Sequence, residues 1–325
     1  MHLVAAGEFG RWLAAFSNLT PRTAPIEGVS LSESQTDAVV AAIADVLAQT
    51  GAAGVPLTTQ ELGDEVIARV GDWAGELTFP AFNGFWPRWR PAITTAAYRG
   101  VLCFGPQRGA KVTYTRPPDA GDAERLTGDN AALWLLRRYL DSYGPASPAE
   151  FARWLAVPVK RTLEVFALAG LDPVTIADRD ALDSAAESDA AQRWVAAGDT
   201  AFPEDAVPGI RLLPYFDPFI VGSHPRALLF PGAAQRAMPN GSAGNFPVLL
   251  VDGVVGGVVG GVWHAKRSGK RVVITVEAFV RLTKQRSREL DEQVQRVSEL
   301  LDAAPELVLG PIPWARTLER AGDRI

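Results

Sequence analysis

Three times along this chain a four-residue signal marks the start of a helix. Ser32-Glu-Ser-Gln35, Thr58-Thr-Gln-Glu61 and Ser147-Pro-Ala-Glu150 each set a hydroxyl three residues ahead of a carboxylate or carboxamide. The hydroxyl can accept from the third helical N–H, and the longer side chain can reach back to the capping residue's own N–H. Each box satisfies two donors that the helix itself leaves orphaned. Pro148 sits at a first helical position, where its missing N–H costs nothing. The boxes predict helices over about 32–49, 58–70 and 148–155.

What lies between the boxes repeats. After the second helix come FWPRWRP (Phe85 to Pro91), a helix over 92–99, and two β-rich runs within Val101 to Thr115. The runs flank Gly105-Pro-Gln-Arg-Gly109, which predicts a hairpin with a basic tip. Helix, helix, helix, hairpin is the order of a winged helix-turn-helix, with the hairpin as its wing. A linker, Arg116 to Asp122, is followed by the same order again. One helix runs from about Asp129 to Tyr143 with Trp134, Leu135, Leu136, Tyr139 and Leu140 as its apolar stripe. The boxed helix over 148–155 comes next, then a helix from Pro158 to Ala169 closed by Gly170, then a strand at Val174 to Ile176.

From Ile210 the texture changes to short β runs: Arg211 to Leu213, Ala227 to Phe230, Pro247 to Val251, Val254 to Trp263 and Arg271 to Val276. An amphipathic helix over about Arg286 to Ala303 closes the chain. The expected fold class is α+β: tandem winged helix-turn-helix modules followed by a C-terminal β-rich, barrel-like domain with a covering helix. A length of 325 residues and 47% hydrophobic content suit several packed cores.

Several chemistries are disfavoured. Cys103 is the lone cysteine, so neither a disulfide within the chain nor a cysteine zinc cluster can form. His2, His224 and His264 lack ligand-like spacing, and no metal is expected. The glycine-rich run 253–261 lacks the Lys-Ser/Thr of a phosphate loop, so no nucleotide cofactor is expected, nor any other. Phe246 to Trp263 is the most apolar stretch, but Asp252 and its glycines make it strand–turn–strand, not a membrane span. The N-terminus does not read as a signal peptide. The expectation is a cytoplasmic monomer with no membrane partner.

The net charge of −5 argues against nucleic acid, but its distribution argues for it. Phe82 to Pro118 holds no acid and carries Arg88, Arg90, Arg99, Arg108, Lys111 and Arg116. His264 to Arg288 holds eight cations against Glu277 alone. The expected partner is double-stranded DNA. The candidate contacts are Arg88, Arg90 and Arg99, Arg108 and Lys111 on the wing, and Lys160 and Arg161 at the start of a recognition helix. Lys266, Arg267, Lys270 and Arg271 flank Ser268-Gly269 at a second basic hairpin tip. Trp86 and Trp89 could stack on bases or belong to the core of their module.

The run Tyr143 to Leu171, YGPASPAEFARWLAVPVKRTLEVFALAGL, resembles the second helix-turn-helix of a large bacterial family, the winged helix DNA-binding domain-containing proteins. Ala96 to Pro117 resembles the preceding wing, Arg211 to Pro231 the start of the family's C-terminal β domain, and Val248 to Trp263 a later hairpin there. The family includes the AlkZ-like crosslink-repair DNA glycosylases, which excise alkylated or crosslinked bases. The resemblance implies three tandem winged helices ahead of the β domain, with a hairpin of that domain near the DNA. His2 to Leu13 resembles the end of the first module, so the chain is expected to begin late in it. The boundaries drawn are 1–28 for that remnant, 29–118 and 119–205 for two winged helices, and 206–325 for the β-rich domain.

The family's glycosylases carry Gln-x-Gln in the first module. Here Gln293-Val-Gln295 matches the letters but lies in the terminal helix, where i and i+2 do not share a face. Ser223-His224 with Asp217 lacks a G-x-S-x-G elbow. The catalytic residues are therefore unknown. The leading expectation is duplex binding through tandem winged helices, in alkylation or crosslink repair. The alternatives are a DNA glycosylase acting on alkylated bases and a transcriptional regulator.

Overall fold

The structure, a computed structural model, describes residues 4–19, 29–51, 55–81, 84–117, 126–175, 192–201, 208–224, 229–230, 234, 246–252 and 258–312. By contacts the chain divides into Met1–Leu136 with Leu155–Leu168, and Arg137–Trp154 with Ala169–Ile325. The class is mixed α and β.

The first unit opens with α1 (Phe9–Leu19) and α2 (Glu33–Gly51). The short strand β1 (Leu57–Thr58) leads straight into α3 (Thr59–Val70). Both boxes close as drawn. Gln35 N donates to Ser32 Oγ at 3.1 Å while Ser32 N donates to Gln35 Oε1 at 2.9 Å. Thr58 and Glu61 make the same reciprocal pair, at 3.3 and 2.8 Å. A hairpin that the sequence reading did not find follows: β2 (Leu77–Ala81) pairs with β3 (Gly84–Pro87). FWPRWRP is thus the end of a strand that runs into α4 (Ala92–Tyr98). The overlooked signal is Asn83-Gly84 between apolar runs, a turn dipeptide that favours tight hairpins.

The expected hairpin is present as β4 (Cys103–Arg108) and β5 (Lys111–Thr115), and β1 joins it in the order β1-β5-β4. Its tip is narrower than the predicted Gly105–Gly109. Strand β4 continues to Arg108, which faces Lys111, and the turn is Gly109-Ala110 with Gly109 at φ +61°. Trp89 anchors the whole unit. It is 2% exposed, its ring lies against Gly63 of α3, and its N–H donates to Ala74 O at 3.0 Å. A Cβ at residue 63 would meet that ring at 3.0 Å, so glycine permits the close approach. Around Trp89 gather Val39, Ile43, Val46 and Leu47 of α2, spaced to share one helix face, with Leu62, Val66, Ala96 and Tyr114.

Chain order then gives α5 (Gly128–Tyr143), α6 (Pro148–Leu155) and α7 (Val159–Leu168), followed by β6 (Leu171–Thr175) paired with β7 (Gln192–Ala196). The predicted stripe on α5 is buried at Leu135, Leu136, Tyr139 and Leu140; Trp134 is half-buried and meets Trp12 edge-on at 5.1 Å. The third box closes too: Ser147 N donates to Glu150 Oε2 at 2.7 Å, and Glu150 N donates to Ser147 Oγ at 3.3 Å.

In the second unit, β8 (Ile210–Leu213), the short helix α8 (Pro218–Gly222), β9 (Val248–Val251), β10 (Val258–Ser268), β11 (Arg271–Ala278), α9 (Lys284–Leu300) and β12 (Ala304–Leu309) complete the chain. The described strands form an open five-stranded sheet, β12-β11-β10-β9-β8, not the barrel expected. Helix α9 packs Leu290 and Val294 onto the sheet's Leu249, Val251, Trp263, Val272, Ile274 and Val276. Contrary to expectation, helix α9 is not the last described element, because β12 follows it and pairs in parallel with β11. Of the predicted strand at Ala227–Phe230, residues 227–228 fall outside the described residues, and Leu229 and Phe230 are buried and lie in no described strand. The linker from 118 to 122 and the glycine-rich turn at 253–257 also lie outside them. No described helix is long and apolar enough to cross a membrane.

Glu150 has a second task. Arg193 Nη2 of β7 donates to Glu150 Oε1 at 3.1 Å, and its Nε lies 3.0 Å from Oε2, too oblique for a good hydrogen bond. Side-chain exposure is 1% for Arg193 and 4% for Glu150. Removing one partner of such a pair strands a buried charge, at a cost of about 3–5 kcal/mol. Glu150→Ala is therefore expected to lower the unfolding free energy by about that much in urea titrations. A loss below about 1 kcal/mol would mean that Arg193 finds other partners.

Candidate nucleic-acid interface

Seven of the candidate cations lie in the first unit: Arg88, Arg90, Arg99, Arg108, Lys111, Lys160 and Arg161. The acid-free stretch of sequence is not acid-free in space. Arg88 Nη2 lies 2.9 Å from Glu76 Oε2, and Arg99 Nη1 lies 2.7 Å from Asp37 Oδ1 on α2. Arg108 pairs with Glu61, the capping carboxylate of α3. Arg161 pairs with Glu164 one turn further along α7, at 3.0 Å. The pairs of Arg99, Arg108 and Arg161 are exposed on both sides, weak and screened by salt, so they orient the arginines without committing them, whereas Arg88 is largely buried. Asp37 and Glu76 had no place in the sequence reading, and Glu61 entered it only as a capping residue, since each reaches its arginine from another element.

Arg90, Lys111 and Lys160 make no ion pair among the described residues. The Arg90 guanidinium carbon sits 4.0 Å above the ring of Trp86, a cation–π contact. Trp86 in turn stacks on Phe79 across the β2–β3 hairpin at 6.1 Å and 10°. The two tryptophans of FWPRWRP therefore part company, Trp89 to the core and Trp86 to a half-buried stack. Lys111 stands opposite Arg108 at the end of the β4–β5 hairpin, and Lys160 is exposed on the first turn of α7.

The second unit holds Lys266, Arg267, Lys270 and Arg271 around the turn between β10 and β11, where Gly269 takes φ +58°. All four are exposed. Arg267 Nε donates to Gly269 O at 3.0 Å, and Lys270 lies 3.3 Å from Asp302. Lys266 and Arg271 carry no ion pair among the described residues.

The other constellations do not assemble as hydrolytic sites. Asp217 caps α8 by accepting from Phe219 N at 3.0 Å, and His224 Nδ1 lies 3.3 Å from Arg153. Gln293 and Gln295 flank the buried Val294 on α9, one half-buried and one exposed. Among the described residues no group of three or more His, Cys, Asp or Glu could hold a metal ion. Burial pushes the Cys103 thiol above its ordinary pKa, which disfavours the thiolate.

With the geometry in place, the chain can be set beside known proteins. The family model described as DNA glycosylase AlkZ-like matches residues 1–300. An interstrand DNA cross-link repair glycosylase of Streptomyces sahachiroi is 28% identical over 269 residues, covering 79% of this chain and 67% of that protein. The solved structure of the Streptomyces sahachiroi DNA glycosylase AlkZ superposes with a TM-score of 0.60 at 24% identity, covering 94% of this chain and 79% of that one. The sequence reading ranked DNA binding first and base excision second; the family match favours excision.

Glu61 offers a test of the interface's local electrostatics. Hydrogen bonds donated by Thr58, first from its backbone N–H and then from its hydroxyl, hold the Glu61 carboxyl below its ordinary value of 4.5, and Arg108 adds to the effect. A carboxyl with a lowered folded-state pKa contributes stability above the unfolded value, and loses it as pH falls through the folded one. The thermal midpoint of the wild type should thus exceed that of Glu61→Gln most at pH 7, with the gap closing below pH 4.5. A gap that does not change between pH 7 and strongly acid solution would refute the assignment.

Proposed function

Because the chain belongs to the DNA glycosylase AlkZ-like family, we propose that it is a DNA repair glycosylase that holds duplex DNA and hydrolyses the N-glycosidic bond of an alkylated or crosslinked base. The family match over residues 1–300 carries this reading. The activity of the Streptomyces relative, interstrand DNA cross-link repair, supports the choice of lesion.

We read the fold as tandem winged helices, with 29–118 and 119–205 as modules and 206–325 as the β-rich domain. Two parallels support it. In the first stretch, β1 runs into the capping box of α3 and pairs with β5, the second strand of its hairpin. In the second, Ala146 stands just ahead of the capping box of α6 and bridges to Trp194 in β7, again the second strand. In each stretch the boxed glutamate takes an arginine from the hairpin, Arg108 for Glu61 and Arg193 for Glu150.

The DNA contacts we assign are Arg88, Arg90, Arg99, Arg108, Lys111, Lys160 and Arg161 in the first unit, and Lys266, Arg267, Lys270 and Arg271 in the second. Most sit on hairpin ends or a first helical turn, where a side chain can reach phosphate with little else in its way. Excision additionally requires a group that orients water toward the glycosidic carbon of an extruded nucleotide. No residue described above is assigned that role. Duplex binding without excision is the second reading, and the placement of the Gln293 and Gln295 pair around buried Val294 favours it.

Two measurements decide. Binding to random duplex should weaken linearly in log–log form with salt, and Lys266→Gln with Arg271→Gln should flatten that slope by about 0.9 per lost phosphate contact. Incubation with alkylated duplex should leave abasic sites cleavable by alkali. Binding with no abasic product would leave the second reading standing; no binding at low salt would remove both.

A further inference from the structure

The β2–β3 hairpin has two unlike faces. Phe79 and Trp86 are cross-strand partners on one, stacked on each other and covered by the Arg90 guanidinium. Pro80 and Phe85 are cross-strand partners on the other, and both are exposed, Phe85 by 60%. Leu77 at the hairpin's base is 64% exposed. An aromatic ring held in water is costly, and here nothing requires it for folding, because Trp89 and the Phe79–Trp86 stack already fix the hairpin. Its root is pinned by Arg88 N donating to Glu76 O at 2.8 Å and Trp89 N donating to Ala74 O at 3.0 Å. The result is a hairpin pinned at its root that, among the described residues, presents the exposed phenyl ring of Phe85.

We propose that Phe85, backed by Pro80, is an apolar wedge that enters the base stack of bound duplex. The proposal rests on the duplex-binding reading above. The charge around it favours a polyanion as the partner: Glu76 at the ribbon's root is taken up by Arg88, while Arg90 on the same root makes no ion pair among the described residues. An apolar partner surface would have no use for that cation, whereas a duplex offers phosphate beside its base edges. Phenylalanine and proline are among the side chains that unstack base steps from a groove. Loosening the stack next to a target nucleotide lowers the cost of extruding it.

The test uses the full chain and undamaged duplexes carrying 2-aminopurine at one position each. Wild type should raise 2-aminopurine fluorescence at one or two adjacent positions. Phe85→Ala should abolish that rise and weaken binding roughly fivefold or more, while the salt slope stays unchanged. Phe85→Leu, still an apolar wedge, should restore much of the signal. Because Phe85 is exposed, its thermal midpoint should barely move. Phe85→Ala matching wild type in both fluorescence and affinity overturns the wedge alone, as does duplex binding by wild type with no fluorescence change. Failure of wild type to bind duplex at low salt overturns the underlying duplex reading and the wedge with it.

Discussion

Glu61 and Glu150 stand at the same place in two helices and are asked to do the same two things. Each carboxylate reaches back to the N–H of its capping residue, and each receives an arginine from a nearby hairpin. The first task follows from helix geometry, which leaves the opening N–H groups without partners. The second follows from placing a negative charge at that point, since a cation from the adjoining strand can then complete it. One side-chain type thereby sets where a helix starts and which hairpin lies beside it. Were either glutamate side chain absent, the reciprocal half of the cap and the tie between helix and hairpin would be lost, and the capping hydroxyl's bond to the backbone would remain.

The two pairs differ in burial, and burial changes what they mean. Arg193 and Glu150 are almost wholly out of water, so each depends on the other to avoid an uncompensated charge. Such a pair is a structural commitment. Arg108 and Glu61 are both about half exposed, so Arg108 can leave for a better anion at little cost. The same holds for Arg99 with Asp37. The exposed acids then act as placeholders that keep arginines extended and correctly aimed.

What the sequence made legible was what is decided locally. All three capping boxes close as drawn, because a box needs only four consecutive residues. The β4–β5 hairpin and α5 were readable for the same reason. Strands whose partner lies far along the chain were not: β12 finds β11 only after α9 has intervened, and β7 finds β6 across sixteen residues outside the described structure. The β2–β3 hairpin is local too, but its one sequence signal, the dipeptide Asn83-Gly84, stands beside short runs broken by Pro80 and Pro87 that lack a clean strand alternation. Charge misled in a parallel way. A run without acids is a fact about the chain, whereas Asp37, Glu61 and Glu76 approach it from elsewhere in the unit.

That last point bears on how an acidic protein can hold DNA. A net charge of −5 repels a polyanion at distances where only the sum is felt. Beyond about one Debye length, roughly 8–10 Å at physiological salt, that sum is screened and the local pattern governs. The local pattern here is cations at projecting ends: Arg108 and Lys111 on one hairpin, Lys266 and Arg271 on another, Lys160 on a helix's first turn. Of these five, only Arg108 has an acid partner among the described residues, Glu61 on the first turn of α3. On the DNA-binding reading proposed above, a phosphate meeting such an end finds mostly cations with no acid beside them, and the local pattern offsets the net charge there.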